Sequence, residues 1–192
     1  MIFPPYLRAT ELSPGMWERP DIPFVLSASD VRVIDGDTLS VLAAPARGER
    51  KREEAFRIRF FSIDTPEKPK VLGPDRVMEE IGIELYPGNQ AAVASATLRN
   101  MVKDRALLVE PVVDPKTGLA RDRFYRLLAH VSVSGARGDL FVPEGAFCAE
   151  RRLYDTGLGR LMPKRELPPQ VSSLTHQLRQ ALDDADPDGL SF

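Results

Sequence analysis

Residues 31–41 read VRVIDGDTLSV, and residues 55–67 read AFRIRFFSIDTPE. Each is a run of β-branched and aromatic residues that ends in turn formers and carboxylates, the pattern of a strand delivering acidic side chains to the end of a sheet. Asp35-Gly36 is hairpin chemistry, so FVLSASDVRVI (24–34) reads as one strand joined there to a second, TLSVLAA. The third strand, AFRIRFFSI, puts Phe56, Ile58 and Phe60 on one face and Arg57, Arg59, Phe61 and Ile63 on the other. An arginine among apolar residues calls for a reason.

The flanking sequence fills in a small fold. Residues 1–23 are proline-rich and aperiodic, an extended arm. A charged loop, 44–54, links the second and third strands. Residues 66–88, rich in proline and glycine, read as a long excursion of the kind that is functional or mobile. GNQAAVASATLRNMVKD (88–104) spaces Ala91, Ala94, Leu98, Met101 and Val102 as one helical face, with Asn89 as a cap. RALLVEPVV and FYRLLAHVSV supply two more strands around the turn DPKTG (114–118). EGAFCAERRLY (144–154) reads as a short helix and PPQVSSLTHQLRQALDDA (168–185) as a last one. Five strands with a helix after the third suit an α+β, mainly β, five-stranded OB-type barrel with flanking α-helices. The expected organisation is an N-terminal arm (1–23), a barrel domain (24–158) and a C-terminal extension with a helix (159–192).

Composition narrows the function classes. In 192 residues, 43% are apolar and 28% charged, values of an ordinary soluble domain. No apolar run is long enough to span a bilayer, and the N-terminus has no signal-peptide pattern, so no membrane association and a cytoplasmic location are expected. Cys148 is the single cysteine, read as a core residue, which excludes an intrachain disulfide. His130 and His176 are too few and too far apart for zinc; His130 reads as structural. The net charge of −2 gives no global pull on a polyanion, so any such attraction must come from local clusters: RGERKREE (47–54), RIR (57–59) and RDRFYR (121–126). DADPDG (184–189) copies the opening of an EF-hand loop but lacks the closing glutamate, and reads as an acidic tail.

Asp37 and Asp64 both end apolar strands, so a rigid scaffold could bring them into one cleft. Two carboxylates with backbone oxygens and water make a hard-oxygen site, suited to calcium or magnesium. Taken singly, DGDT and DTPE are ordinary turns.

Taken together, VIDGDT, then RFFSIDTPE, then DRFYRLLAHV after a helix resemble the staphylococcal-nuclease-like (thermonuclease) family over roughly residues 28–155. The resemblance implies an OB-type barrel and calcium-dependent hydrolysis of phosphodiester bonds in DNA and RNA, by a protein expected to be a monomer. It places the metal-binding carboxylates on Asp37 and Asp64 and the metal-binding carbonyl on Thr65. The catalytic glutamate falls on Glu67, and the catalytic arginines on Arg59 and Arg126. Chemistry suits those roles: a carboxylate past a rigid proline can orient or deprotonate water, and guanidinium forks match phosphate oxygens in a way lysine does not. A structural salt bridge to Glu53, Glu54 or Asp122 is the competing reading of either arginine. The chain departs from the family at Phe124-Tyr125, where relatives have Tyr-Gly, which puts the backbone approach to Arg126 and substrate affinity in question. The segment after the fifth strand also matches poorly, leaving Tyr154 as a bare candidate for base stacking. The alternative function is a catalytically silent nuclease-like module for nucleic-acid binding or protein scaffolding.

Overall fold

The computed structural model describes residues 7–8, 23–43, 52–67, 90–112 and 121–168. It is an α+β fold whose strands are β1 (Leu7–Arg8), β2 (Phe24–Leu26), β3 (Val31–Val33), β4 (Thr38–Leu42), β5 (Glu54–Phe60), β6 (Ile63–Asp64), β7 (Leu107–Pro111), β8 (Leu127–Val133), β9 (Phe147–Cys148) and β10 (Arg160–Leu161). The helices are α1 (Gln90–Val102) and α2 (Ala149–Asp155). The main sheet runs β1-β2-β7-β8-β5-β4-β3 with β9 added beside β8, and β6 pairs with β10 alone. Two pairings, β1/β2 and β5/β8, are parallel.

The core follows from alternation along the strands. Leu39 and Val41, Ile58 and Phe60, and Leu127, Ala129 and Val131 point to one side, where Leu98 of α1 and Leu153 of α2 meet them. In α1 the buried positions are Ala91, Ala94, Ser95 and Leu98, so the helix packs the face that its spacing defines.

Two expected strands are broken, and both breaks have a chemical cause. The run 24–34 divides at a 3-10 turn, Ala28–Asp30, into β2 and β3. The Asp30 amide donates to the Ser27 carbonyl (3.0 Å), and the buried Asp30 carboxylate accepts from Arg52 Nη2 (2.6 Å). The side chains of the turn bond one another and distant partners: Ser27 Oγ donates to Asp139, and Asp30 Oδ1 accepts from Ser29 Oγ as well as from Arg52. Arg52 also donates to the carbonyls of Ser29, Leu42 and Ala43, tying the turn to the end of β4. The expected α+β architecture is present, and among the described residues the mixed sheet is open rather than closed into a barrel. β2 and β3 lie far apart in the strand path, yet Leu26 and Val31 are five residues apart in sequence and hence within about 18 Å. The sheet therefore curls on itself without a closing ladder.

The third expected strand divides at Phe61-Ser62, and here every backbone polar group finds a partner. The Phe61 amide donates to Ala129 O (3.1 Å), Phe61 O accepts from Arg165 Nη1 (2.6 Å), and Ser62 O accepts from the Met162 amide (2.9 Å). The Ser62 amide donates to Glu150 Oε1 (2.8 Å). This break turns Asp64 out of the β5 line and onto β6.

The expected helix 144–154 begins instead as β9, with helix only from Ala149. Past residue 158, β10 pairs with β6, and Leu167 packs on the core. The turn 114–118, the helix 168–185 apart from Pro168, the acidic tail 184–189 and most of the excursion 66–88 lie outside the described residues. Among those described, no helix is long and apolar enough to cross a membrane.

Candidate metal and phosphate site

The hairpin brings Asp37 inward because Gly36 permits a close approach. A Cβ on Gly36 would stand 2.5 Å from Thr65 Oγ1 and 2.8 Å from Ala94 Cβ, so only glycine lets the β3–β4 turn touch both Thr65, just past β6, and α1. Asp37 is then buried and used at every polar atom. Its carbonyl accepts from the Phe60 amide (2.9 Å) and its amide donates to Asp35 Oδ1 (3.2 Å). Oδ1 accepts from Thr38 Oγ1 (3.2 Å), and Oδ2 accepts from the Thr65 amide (2.7 Å).

Arg59, level with Thr38 in the β4/β5 ladder, lies between the two carboxylates. Its Nη1 faces Asp37 Oδ2 as an ion pair without hydrogen-bond alignment, and its Nη2 donates to Asp64 Oδ1 at 2.6 Å. Its side chain is only 10% exposed. Thus Asp37, Asp64 and Arg59 are brought together, and the arginine in an apolar strand has its reason: it pairs with the buried Asp37 and the partly buried Asp64. The salt bridges to Glu53 or Glu54 do not form; Arg59 is paired with the two candidate metal carboxylates.

Arg160 was not singled out by sequence reasoning. It sits opposite Asp64 in the β6/β10 pair and donates to Asp64 Oδ2 from Nε (3.2 Å) and Nη2 (2.9 Å). Arg165 stacks over the Phe61 ring at 4.3 Å; burial, and then the charge of Arg59, pushes its guanidinium below its ordinary value. Nothing local in the sequence marks these two, because their approach depends on the chain returning after α2. The same holds for Glu150, fully buried, whose Oε2 is 2.8 Å from His130 Nδ1. His130 is thereby structural, and Cys148 is buried with its thiol pushed up to about 12, mainly by burial.

Two expected site residues stand apart. Glu67 is exposed and joins none of the bonds of the cluster. Arg126 is paired with Asp122, through Nε (2.8 Å) and Nη2 (2.7 Å) to Oδ2. Hydrogen bonds from Arg126 and the Phe124 amide outweigh the effect of burial and hold the Asp122 carboxyl below its usual value. In the parallel β5/β8 ladder Arg59 is level with Leu128, and Arg126 lies just before Leu127, the first residue of β8. Tyr154 is on α2, 40% exposed, and makes no part of the cluster.

The donors brought together are the carboxylates of Asp37 and Asp64, with the Thr65 amide on Asp37 Oδ2. Among the described residues no group of three or more His, Cys, Asp or Glu side chains is placed to hold a metal. A hard divalent cation that accepts water and phosphate oxygens fits such a short donor set, whereas zinc does not. Compared with known proteins, the chain matches no family model and no curated protein sequence.

Proposed function

We propose that this chain is a calcium-dependent nuclease that hydrolyses phosphodiester bonds in DNA or RNA with low sequence specificity. The observation that carries the reading is the convergence of Asp37, just before β4, and Asp64, at the end of β6, on Arg59 of β5. The curled sheet is read with it, as an OB-type barrel whose closing ladder is replaced by the Ser27–Asp30 turn.

Asp37, Asp64 and the Thr65 carbonyl would hold calcium, which when bound supplies positive charge to a phosphate oxygen and to the attacking water. Glu67, three residues beyond Asp64 and exposed, would accept the proton of that water. Arg59, held between the two carboxylates, would offer its guanidinium fork to the phosphate. Arg126 approaches from the neighbouring strand, and its fork stabilises charge that gathers on the non-bridging oxygens. Substrate is gripped chiefly through phosphates, which makes the activity indifferent to sequence.

The test is hydrolysis of a fluorescent single-stranded DNA by wild type and Glu67→Ala, with calcium and with chelator. Wild type cleaves only with calcium, and Glu67→Ala loses about a hundred- to ten-thousand-fold in turnover while binding calcium as before. A wild type inert on DNA and RNA with calcium, magnesium or manganese sinks the reading.

One observation favours a second reading. Both carboxylates already have arginine partners, and Arg126 is already paired with Asp122, so the charges are balanced without metal. That suits a silent module for nucleic-acid binding or scaffolding. Calcium titration separates the two, since only the nuclease reading requires the cation to bind.

A further inference from the structure

The turn that precedes Arg126 contains an unexplained expense of backbone energy. Tyr125 holds φ at +60°, in the left-handed region that bulky side chains avoid and glycine accepts. The turn is held there by its neighbours. The Tyr125 amide donates to Asp122 O (3.0 Å), and Arg121 Nη1 donates to Tyr125 O (2.9 Å). Asp122 Oδ1 accepts the amides of Phe124 (2.9 Å) and Arg126 (3.0 Å). Packing does not offset the strain. Tyr125 is 80% exposed, and its side chain has no hydrogen-bond or ring partner among the described residues. A strained conformation that the free protein does not use for packing is characteristic of a binding surface.

Its surroundings say what it binds. Phe124 is 63% exposed, with the guanidinium of Arg123 4.8 Å and that of Arg126 5.3 Å from its ring centre. Two open aromatic rings interleaved with arginines form the combination that takes a nucleobase on a ring and its phosphate on a guanidinium. Phe124 has its cations already, and the Tyr125 ring is free.

We propose that Tyr125 is a stacking platform for an unpaired base beside the phosphate engaged by Arg126, so that the chain selects single-stranded nucleic acid. The inference rests on the phosphodiesterase reading for the position of that phosphate, and on the turn itself for the platform. A paired base must first leave its duplex to reach the ring, which is the source of the selectivity.

The experiment compares full-length wild type, Tyr125→Gly and Tyr125→Trp. Binding of a fluorescein-labelled oligothymidylate and of a labelled duplex is measured in chelator, and cleavage of both is measured with calcium. Tyr125→Gly is expected to raise the melting temperature by about 4 °C, because glycine accepts this φ. It is expected to weaken oligothymidylate binding about tenfold and duplex binding less than about twofold, while Tyr125→Trp keeps the preference. Unchanged single-strand affinity in Tyr125→Gly overturns the platform, even where cleavage by wild type supports the nuclease. Tyr125-dependent binding without cleavage by any variant keeps the platform and overturns the nuclease. A wild type that binds neither probe overturns the platform.

Discussion

Arg59, in β5, and Arg126, just before the neighbouring strand β8, are held by opposite means. Arg59 is enclosed in β5 between two carboxylates delivered by other segments, at 10% exposure, and its place is settled by the core around it. Arg126 follows an exposed, strained turn and has one carboxylate, four residues back on the same turn. The difference teaches how each can act. Arg59 must exchange partners before it can meet a phosphate, so it is coupled to whatever occupies the space between Asp37 and Asp64. Arg126 needs only to leave a local pair, and its turn already faces solvent.

The largest effect tests that coupling. Arg59→Ala leaves the buried Asp37 carboxylate without its cation, while Asp64 keeps Arg160, and should cost about 3–5 kcal/mol of folding stability in chelator. Arg126→Ala, at a half-exposed pair, should cost about 1 kcal/mol or less. Urea denaturation of both variants with and without calcium decides the matter. Calcium should recover part of the loss in Arg59→Ala and none in Arg126→Ala. Equal losses would break the contrast between the two arginines; a calcium effect absent from Arg59→Ala would mean that the carboxylates do not form a cation site.

A second contrast lies in the backbone beside each arginine. At Gly36 an added Cβ meets Thr65 and Ala94, so Gly36→Ala should cost about 1–3 kcal/mol through forced separation of the hairpin from Thr65 and α1. At Tyr125 the opposite substitution, to glycine, should stabilise. Opposite signs in thermal melts of the two variants would sharpen the picture of a close-packed site beside a strained surface. A harmless Gly36→Ala would show that the Asp37 hairpin has room to move.

The parts legible in the sequence were those governed by short-range pattern. Alternation in β5, helical spacing in α1 and the hairpin at Asp35-Gly36 depend on neighbouring residues, and the structure follows them. The pairing of Asp37 and Asp64 with Arg59 was legible only in part: the residues stood out, but their mutual ion pairs require the register Thr38 opposite Arg59. The strand breaks at Ser27–Asp30 and Phe61-Ser62 were hidden, since each is stabilised by partners distant in sequence, Arg52 for one and Glu150, Met162 and Arg165 for the other. Arg160 was hidden for the same reason. Tyr125 was visible as a departure from Tyr-Gly; its conformation was not, because that belongs to the turn as a whole. The backbone before Arg126 adopts the left-handed conformation suited to glycine although glycine is absent.

The smallest expected effects are in pH dependence, and they run in opposite directions in the two regions. Beside Arg126, the Asp122 carboxyl is held below its usual value. The native state therefore binds fewer protons there than the unfolded chain does, so Asp122 contributes stability above the unfolded carboxylate value and loses it as the pH falls through the folded one. Asp122→Asn should thus cost about 1 kcal/mol or less at neutral pH and nothing in strong acid. On β7, opposite His130, Glu110 is pushed up, first by burial and then by the charge of Glu150, with His130 opposing. Here the native state binds more protons, so stability is complete below the unfolded value and declines as the pH rises through the folded one. Glu110→Gln should therefore stabilise at neutral pH and not at acid pH. Denaturation series from acid to neutral pH on both variants read the two slopes directly. Slopes of the same sign would mean that burial does not govern Glu110 or that hydrogen bonding does not govern Asp122.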